Sequence, residues 1–444
     1  MIKNVLQNKN ILSLLTNVSF SAFSLLGFLL LARSLDKENF GAWILFTTAS
    51  SLIEMMRFGL TRVALIRFLS GAVSEQRNNI IGSNWLISFV VTAILAGLIS
   101  LAYLAFSFYI DQSGYQYFFI WYPLLLFFNL PFNNALSIFE ADQKFNSILI
   151  LRLSTGISFT TFLIFNLFIF KADLTLIIVV HLIVHLLASV YCVLRKLDGV
   201  QLMFKSSRET VEKFLNFGKF TFGTLIGSSL LRSADVMIIG LSPMGASAVA
   251  LYSIPLKLIE LMQIPLRSFA STAYPKISKA SIKGDNNEVI KLFYTYSGVT
   301  TFLFFPLSIF CFMFSEPFIL ALGGEQYMDS LIPIVIFKIF AIYGILLPLD
   351  RFNGIVLDAI NKPKINFYKV LAMTLTNVLG DIIAVFVFKS LIMVAVVTII
   401  FTVAGLFLGW YFVSRYLPIS LRALVVESKV FCTEWIRKNL QKSL

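Results

Sequence analysis

Twelve apolar runs dominate this chain, at about 11–32, 41–61, 80–108, 116–139, 148–170, 174–194, 215–240, 247–272, 292–314, 329–350, 367–388 and 391–414. A bilayer core of about 30 Å takes about 20 apolar residues of helix, and each run reaches or approaches that length. Charged residues make up 13% of the chain, roughly half the ~25% of an average soluble domain, too few to cover a fold that must also hide 46 Phe. The fold class expected is therefore all-α integral membrane with twelve transmembrane helices, the protein being multi-pass. No connection is long enough for a soluble domain. A net charge of +13 would suggest nucleic acid in a soluble protein; in a membrane protein, orientation accounts for it, and no nucleic-acid partner is expected.

Charge also sets the expected topology. With the N-terminus cytoplasmic, 26 of the 36 Lys and Arg fall on inward segments or the span ends that adjoin them, whereas the six outward loops hold only Arg33, Lys37, Lys171 and Lys389. That asymmetry is the positive-inside signal and places both termini in the cytoplasm. Trp43, Trp85, Trp121 and Trp410 fall near run ends, where indole rings favour the headgroup level. The opening MIKNVLQNKN is basic and runs straight into the first span, so it reads as helix rather than as a cleaved signal. A basic linker at 195–214 divides the chain into six-helix lobes at 1–194 and 215–416, and the tail at 417–444 reads as an interfacial amphipathic helix. SSLIEMM (50–56) in span two resembles LKLIELM (256–262) in span eight, an offset of 206 residues from Glu54 to Glu260. Six being even, the lobes would be parallel repeats about an axis along the membrane normal.

A charge at bilayer depth costs about 2.5–3.5 kcal/mol on insertion scales, so the charged residues within runs stand out. Span two carries Thr47, Ser50, Glu54 and Arg57, and span eight Ser253, Lys257, Glu260 and Arg267. Span one has Ser13, Asn17, Ser21 and Ser24, and span seven Thr221, Ser228, Arg232 and Asp235. Each set lies on one helical face, as the lining of a water-filled cavity would. Glu54 with Arg57, Lys257 with Glu260 and Arg232 with Asp235 are also three residues apart, so mutual neutralisation is the competing explanation. Arg267 and Lys338 have no acid three or four residues away and are better placed to meet an anion, although Arg267 can also snorkel to the inner surface. His181 and His185 share a face of span six, the spacing of a metal site or proton relay, but no acid or thiol accompanies them and ordinary packing is the simpler reading.

The sequence holds no GxxxxGK, HExxH or GxSxG motif, so no catalytic residue is expected and the chain reads as a non-enzyme. Cys192, Cys311 and Cys432 are odd in number and scattered, which excludes a disulfide scaffold and offers no metal-ligand spacing. Membrane polymerases or ligases that act on glycans need sizeable outward loops with acid, base or cationic groups; here the loops after spans three, seven and nine contain no Lys or Arg.

The run LLLARSLDKENFGAWILFTTASSLIEMMRFGL (29–60) resembles the opening of Wzx-type polysaccharide flippases, with Ala-Arg-x-Leu, an acidic residue, a Phe-Gly pair and a closing Phe-Gly-Leu. Residues 216–278 are similar to that family's spans seven and eight, with an Asp before Ile-Ile-Gly and a Tyr opening span eight. The two stretches cover about a fifth of the chain. Lipid II flippases are similar too, but typically carry fourteen helices. The resemblance implies a member of the multidrug/oligosaccharidyl-lipid/polysaccharide exporter superfamily that moves an undecaprenyl-pyrophosphate-linked oligosaccharide, an O-antigen or capsule repeat unit, across the bacterial inner membrane by alternating access. It implies no cofactor, with a proton or sodium gradient as the available driving force. The partners implied are the lipid-linked oligosaccharide, membrane lipids, a polysaccharide polymerase and a chain-length regulator. Pyrophosphate needs fixed positive charge, for which Arg57, Arg232, Lys257 and Arg267 are the candidates, with Asn17, Glu54, Asp235, Glu260 and Lys338 lining the cavity or coupling transport. A cation or drug exporter of the same fold is the alternative and would use unpaired carboxylates instead.

Overall fold

The computed structural model describes residues 9–70, 72–420, 422–424 and 426, and their regular secondary structure is entirely helical. The helices are α1 (Lys9–Ser34), α2 (Lys37–Leu60), α3 (Arg62–Leu69), α4 (Ser74–Asp111), α5 (Gln116–Phe128), α6 (Leu130–Ala141), α7 (Phe145–Phe165) and α8 (Leu174–Leu194). There follow α9 (Arg208–Gly240), α10 (Gly245–Ile282), α11 (Asn286–Met313), α12 (Ser315–Gly323), α13 (Ile332–Ala359), α14 (Pro363–Ile382) and α15 (Leu391–Ser414). Among the described residues eight helices are long and apolar enough to cross a membrane: α4, α7, α8, α10, α11, α13, α14 and α15. A ninth arises if α5 and α6, bent by 49°, form one broken span. The break is local chemistry: Pro131 sits in the first turn of α6, where its missing N–H is tolerated. The other three expected spans fall on α1, α2 and α9, which are not among these eight. Asn17 lies in α1, but its side chain lies outside the described residues, as do residues 427–444 of the expected amphipathic tail.

The chain forms two compact units, residues 1–241 with 245–250, and 242–244 with 251–444. In the first, α1 packs on α7, α9 along α2, α4 on α5, and α3 on α6. In the second, α13 packs between α11 and α15, and α14 lies against α15. Counting spans divides the chain at 195–214, whereas compactness places α9 with the first unit because of its packing on α2. The 195–214 segment is folded: the 3-10 turn Val200–Lys205 packs on α4, and the Trp85 Nε1–H donates to the Asp198 carbonyl at 2.7 Å. Trp43 and Trp85 are only 6% and 5% exposed, so these two rings pack inside the unit.

The stretch after α1 has a physical explanation at Asp36, Asn39, Phe40 and Gly41. Asp36 closes the start of α2, accepting from the Asn39 backbone N–H and from Asn39 Nδ2, each at 2.8 Å. Partial burial works to raise the Asp36 carboxyl, but these two donors hold it below the usual carboxylate range. Phe40 is fully buried, edge-on to Phe28 at 5.2 Å. A Cβ on Gly41 would overlap the Ala246 carbonyl, so only glycine lets α2 approach the start of α10.

Two connections carry one backbone signature 218 residues apart. Gln143 and Asn361 follow their helices with φ of 55° and 60°. Lys144 donates to Phe139 O and Lys362 to Leu357 O, both at 2.8 Å, which closes a Schellman turn in each case. The helices that follow both end in π-turns, Asn166–Phe170 and Ile383–Val387, and then in left-handed lysines, Lys171 and Lys389, at φ 47° and 49°.

Candidate functional site

The charged residues expected at bilayer depth are distributed over both units. In the first unit, Arg57 of α2 is 2% exposed and its Nη2 lies 2.6 Å from Glu54 Oε2. Its Nη1 donates to Thr92 Oγ1 at 3.2 Å and to the Leu126 carbonyl at 3.1 Å. The guanidinium therefore ties α2 to α4 and α5. Tyr122, fully buried on α5, adds a bond to the Ser50 carbonyl at 3.1 Å. On α9, Arg232 is exposed and Asp235 is buried.

The second unit holds the remaining candidates. Lys257 Nζ lies 3.2 Å from Glu260 Oε2, with side-chain exposures of 22% and 37%. This pair is open on one side, unlike Glu54 with Arg57. Arg267 is exposed further along α10. Lys338 of α13 is half-buried, its ammonium 5.6 Å from the centroid of the Phe312 ring, a distance suited to cation–π attraction. The structure thus forms the ion pairs at 54/57 and 257/260 and leaves Arg232 and Arg267 at the surface of their units.

Sequence reasoning missed a polar file in the second unit. The buried residues of α14 are Lys369, Met373, Asn377 and Asp381, at the spacing of one helical face. Lys369 Nζ donates to Asp350 Oδ1 at 2.6 Å and to the Asp350 carbonyl at 3.2 Å. Asn377 Nδ2 donates to Asp381 Oδ2 at 3.0 Å, and both residues are fully buried. Asn353 of α13 is fully buried as well. The four-residue interval between Asn377 and Asp381 was a readable signal; Asp350 and Lys369 belong to different helices and were not. A further network in the first unit joins Arg62 and Arg152 to Glu140, and Arg77 and Lys144 to Asp142.

The two histidines of α8 stand in a cluster of aromatic rings. Their centroids are 4.6 Å apart, with Trp43, Phe46 and Phe159 around His181 and Phe132 beside His185. Among the described residues no group of three or more His, Cys, Asp or Glu side chains is placed to hold a metal ion.

Residues 7–281 match the family described as "Polysaccharide biosynthesis protein". A curated relative, the teichuronic acid biosynthesis protein TuaB of Bacillus subtilis (strain 168), is 27% identical over 214 residues, 48% of this chain and 43% of that one. The chain therefore spans less than half the length of this relative. Among solved structures, an inward-facing multidrug resistance MATE transporter of the MOP superfamily superposes with a TM-score of 0.72 at 13% identity, over 89% of this chain and 95% of the other. Lipid II flippase MurJ, in an inward closed conformation, gives 0.72 at 16% identity, over 95% and 91%. An MOP-superfamily transporter from Pyrococcus furiosus gives 0.54 at 13%, over 91% and 94%. These solved relatives are transporters and a flippase, not enzymes.

Proposed function

Since the chain belongs to the polysaccharide biosynthesis protein family and has the fold of MOP-superfamily transporters, we propose that it is a flippase for a lipid-linked oligosaccharide. The observation that carries this reading is the family match over 7–281 on a fold shared with a lipid II flippase. The substrate proposed is an undecaprenyl-pyrophosphate-linked repeat unit, carried across a bacterial inner membrane by alternating access of two six-helix lobes, with both termini cytoplasmic. A polysaccharide polymerase and a chain-length regulator would act on the product.

Fixed cations inside helices support the choice of an anionic headgroup. Arg232 and Arg267 are exposed, and Lys257 keeps part of its surface open; guanidinium and ammonium groups make charge-assisted hydrogen bonds to phosphate oxygens. Arg57 is engaged by Glu54, Thr92 and the Leu126 carbonyl. Asp381, buried in α14 and bonded by the neutral Asn377 amide, favours drive by a proton or sodium gradient, because ionisable groups at such depth mark ion pathways.

Binding to the purified full chain tests the headgroup assignment. Undecaprenyl pyrophosphate should bind more tightly than undecaprenyl phosphate, and Arg232→Gln or Arg267→Gln should each weaken it about tenfold, the order expected for one lost charge-assisted bond. Preference for tetraphenylphosphonium, lost on Asp235→Asn or Glu260→Gln, would instead identify a cation exporter.

A further inference from the structure

The flippase reading leaves His181 and His185 without a task. They are the chain's only histidines and sit mid-way along α8, which is apolar enough to cross a membrane. An ionisable group at that depth is costly and is retained where it does something. The two rings meet edge to face, 65° apart with centroids 4.6 Å apart. Both Nδ1 atoms are buried and without a hydrogen-bond partner, while each residue as a whole is only half-buried. Whichever tautomer is present, a neutral imidazole with a buried, unpaired nitrogen has lost a donor or an acceptor bond. Packing alone would be served better by two apolar rings.

The surroundings fit a cation that comes and goes. Helices α2, α5, α6 and α7 pack against α8, and what they bring to the pair is aromatic. Phe159 lies 4.9 Å and Trp43 5.5 Å from His181, with Phe46 at 6.5 Å, and Phe132 lies 6.0 Å from His185. The charged residues of those helices are Lys37, Glu38, Glu54 and Arg57 on α2, Glu140 on α6 and Arg152 on α7. Glu54 is held by Arg57, and Glu140 by Arg62 and Arg152; Lys37 and Glu38 lie in the first turn of α2. On α5, the Tyr122 hydroxyl is donated to Ser50. No fixed counter-charge is thus offered to the pair by these bonds, and the groups able to receive a proton's charge are the second imidazole and the π-faces.

We propose that His181 and His185 form a single-proton binding site in the first unit. One imidazole takes a proton from water and its new N–H turns toward the lone pair of the other. A second proton is opposed by like charge at ring-contact distance, so the pair titrates as one coupled unit. The site stands whatever is transported; that its protonation accompanies transport rests on the flippase reading.

Because no other histidine is present, [15N]His labelling of the full chain in phosphatidylcholine vesicles reads the site directly by solid-state NMR. The expected result is that both rings shift together over one pH interval, with an amplitude equal to a single proton. The second proton should enter at least about 1 pH unit lower, the separation that defines coupled sites. In His181→Gln or His185→Gln the remaining ring should titrate at lower pH than the intact pair. Two independent titrations near the ordinary histidine value, or no titration at all, would overturn the proposal. So would a shift of both rings on adding micromolar zinc alone, which would make the pair a metal site. Separately, lipid flipping that keeps its full pH dependence in both Gln variants would remove the role in transport while leaving the site itself to the NMR result.

Discussion

Arg57 and Lys257 carry the same charge on helices whose sequences resemble each other, yet their surroundings call for different behaviour. Arg57 is enclosed and bonded to Glu54, Thr92 and the Leu126 carbonyl, whereas the Lys257–Glu260 pair is open on one side. Removing one partner of an enclosed pair costs about 3–5 kcal/mol, while a partly exposed pair is worth about 0–1 kcal/mol. Arg57→Gln should therefore lower stability in detergent, and Glu54→Gln combined with Arg57→Gln should recover part of it, a coupling of about 1–3 kcal/mol in a double-mutant cycle. Lys257→Gln should leave stability nearly unchanged and reduce flipping, with no rescue by Glu260→Gln. Asp198 allows a pH test. Burial raises its carboxyl above 3.8, the nearby backbone N–H groups of Val200 and Gly199 offsetting only part of this. With its folded-state value raised, ionisation disfavours the fold: the penalty is absent below the unfolded value and grows as pH rises through the folded one. Asp198→Asn should raise the melting temperature at pH 7 and not at pH 3.5; equal effects at both would contradict this. The intrahelical pairs were legible in the sequence because a spacing of three is visible there. Glu140 with Arg62, 78 residues apart, and Asp350 with Lys369 were not, since only tertiary packing brings them together.

Between elements, α2 comes close to the start of α10 at Gly41. Gly240 makes a similar seam, where a Cβ would overlap Leu45 and crowd Tyr115, and the Tyr115 hydroxyl bonds the Met237 carbonyl at 2.9 Å. Gly41→Ala should destabilise the protein by about 1–3 kcal/mol, as overpacking does, and should increase cysteine labelling at Ala248→Cys; unchanged labelling and stability would show that this contact is dispensable. The Phe-Gly motif was legible as a family feature, but its reason was not, because the carbonyl it avoids lies some 200 residues away. Hydropathy located nearly every helix, yet it ran 116–139 together where Pro131 breaks the span. It also missed the recurrence of the turn after Ala141 in the turn after Ala359. That signature lies in backbone angles and in Schellman bonds, carried by the carboxamide residues Gln143 and Asn361, each followed by Lys. Such a match at an offset of 218 is what parallel repeats would leave behind.

For the whole molecule, membrane class and helical fold follow from apolar run length alone, and the exporter-superfamily fold agrees with the motifs at 29–60 and 216–278. What composition could not supply is the cargo, since the same scaffold serves drug exporters and lipid flippases. The central claim, that a lipid-linked saccharide crosses the bilayer through this chain, is best tested in proteoliposomes holding the purified full-length protein and a fluorescent undecaprenyl-pyrophosphoryl sugar, with a membrane-impermeant reductant added outside. The account predicts that protein-containing vesicles expose the inner-leaflet half of the dye pool to reduction, more slowly in Lys257→Gln and Arg267→Gln than in the wild type. Reduction stopping at the outer half in protein-containing and protein-free vesicles alike, with the wild-type chain folded, would contradict it.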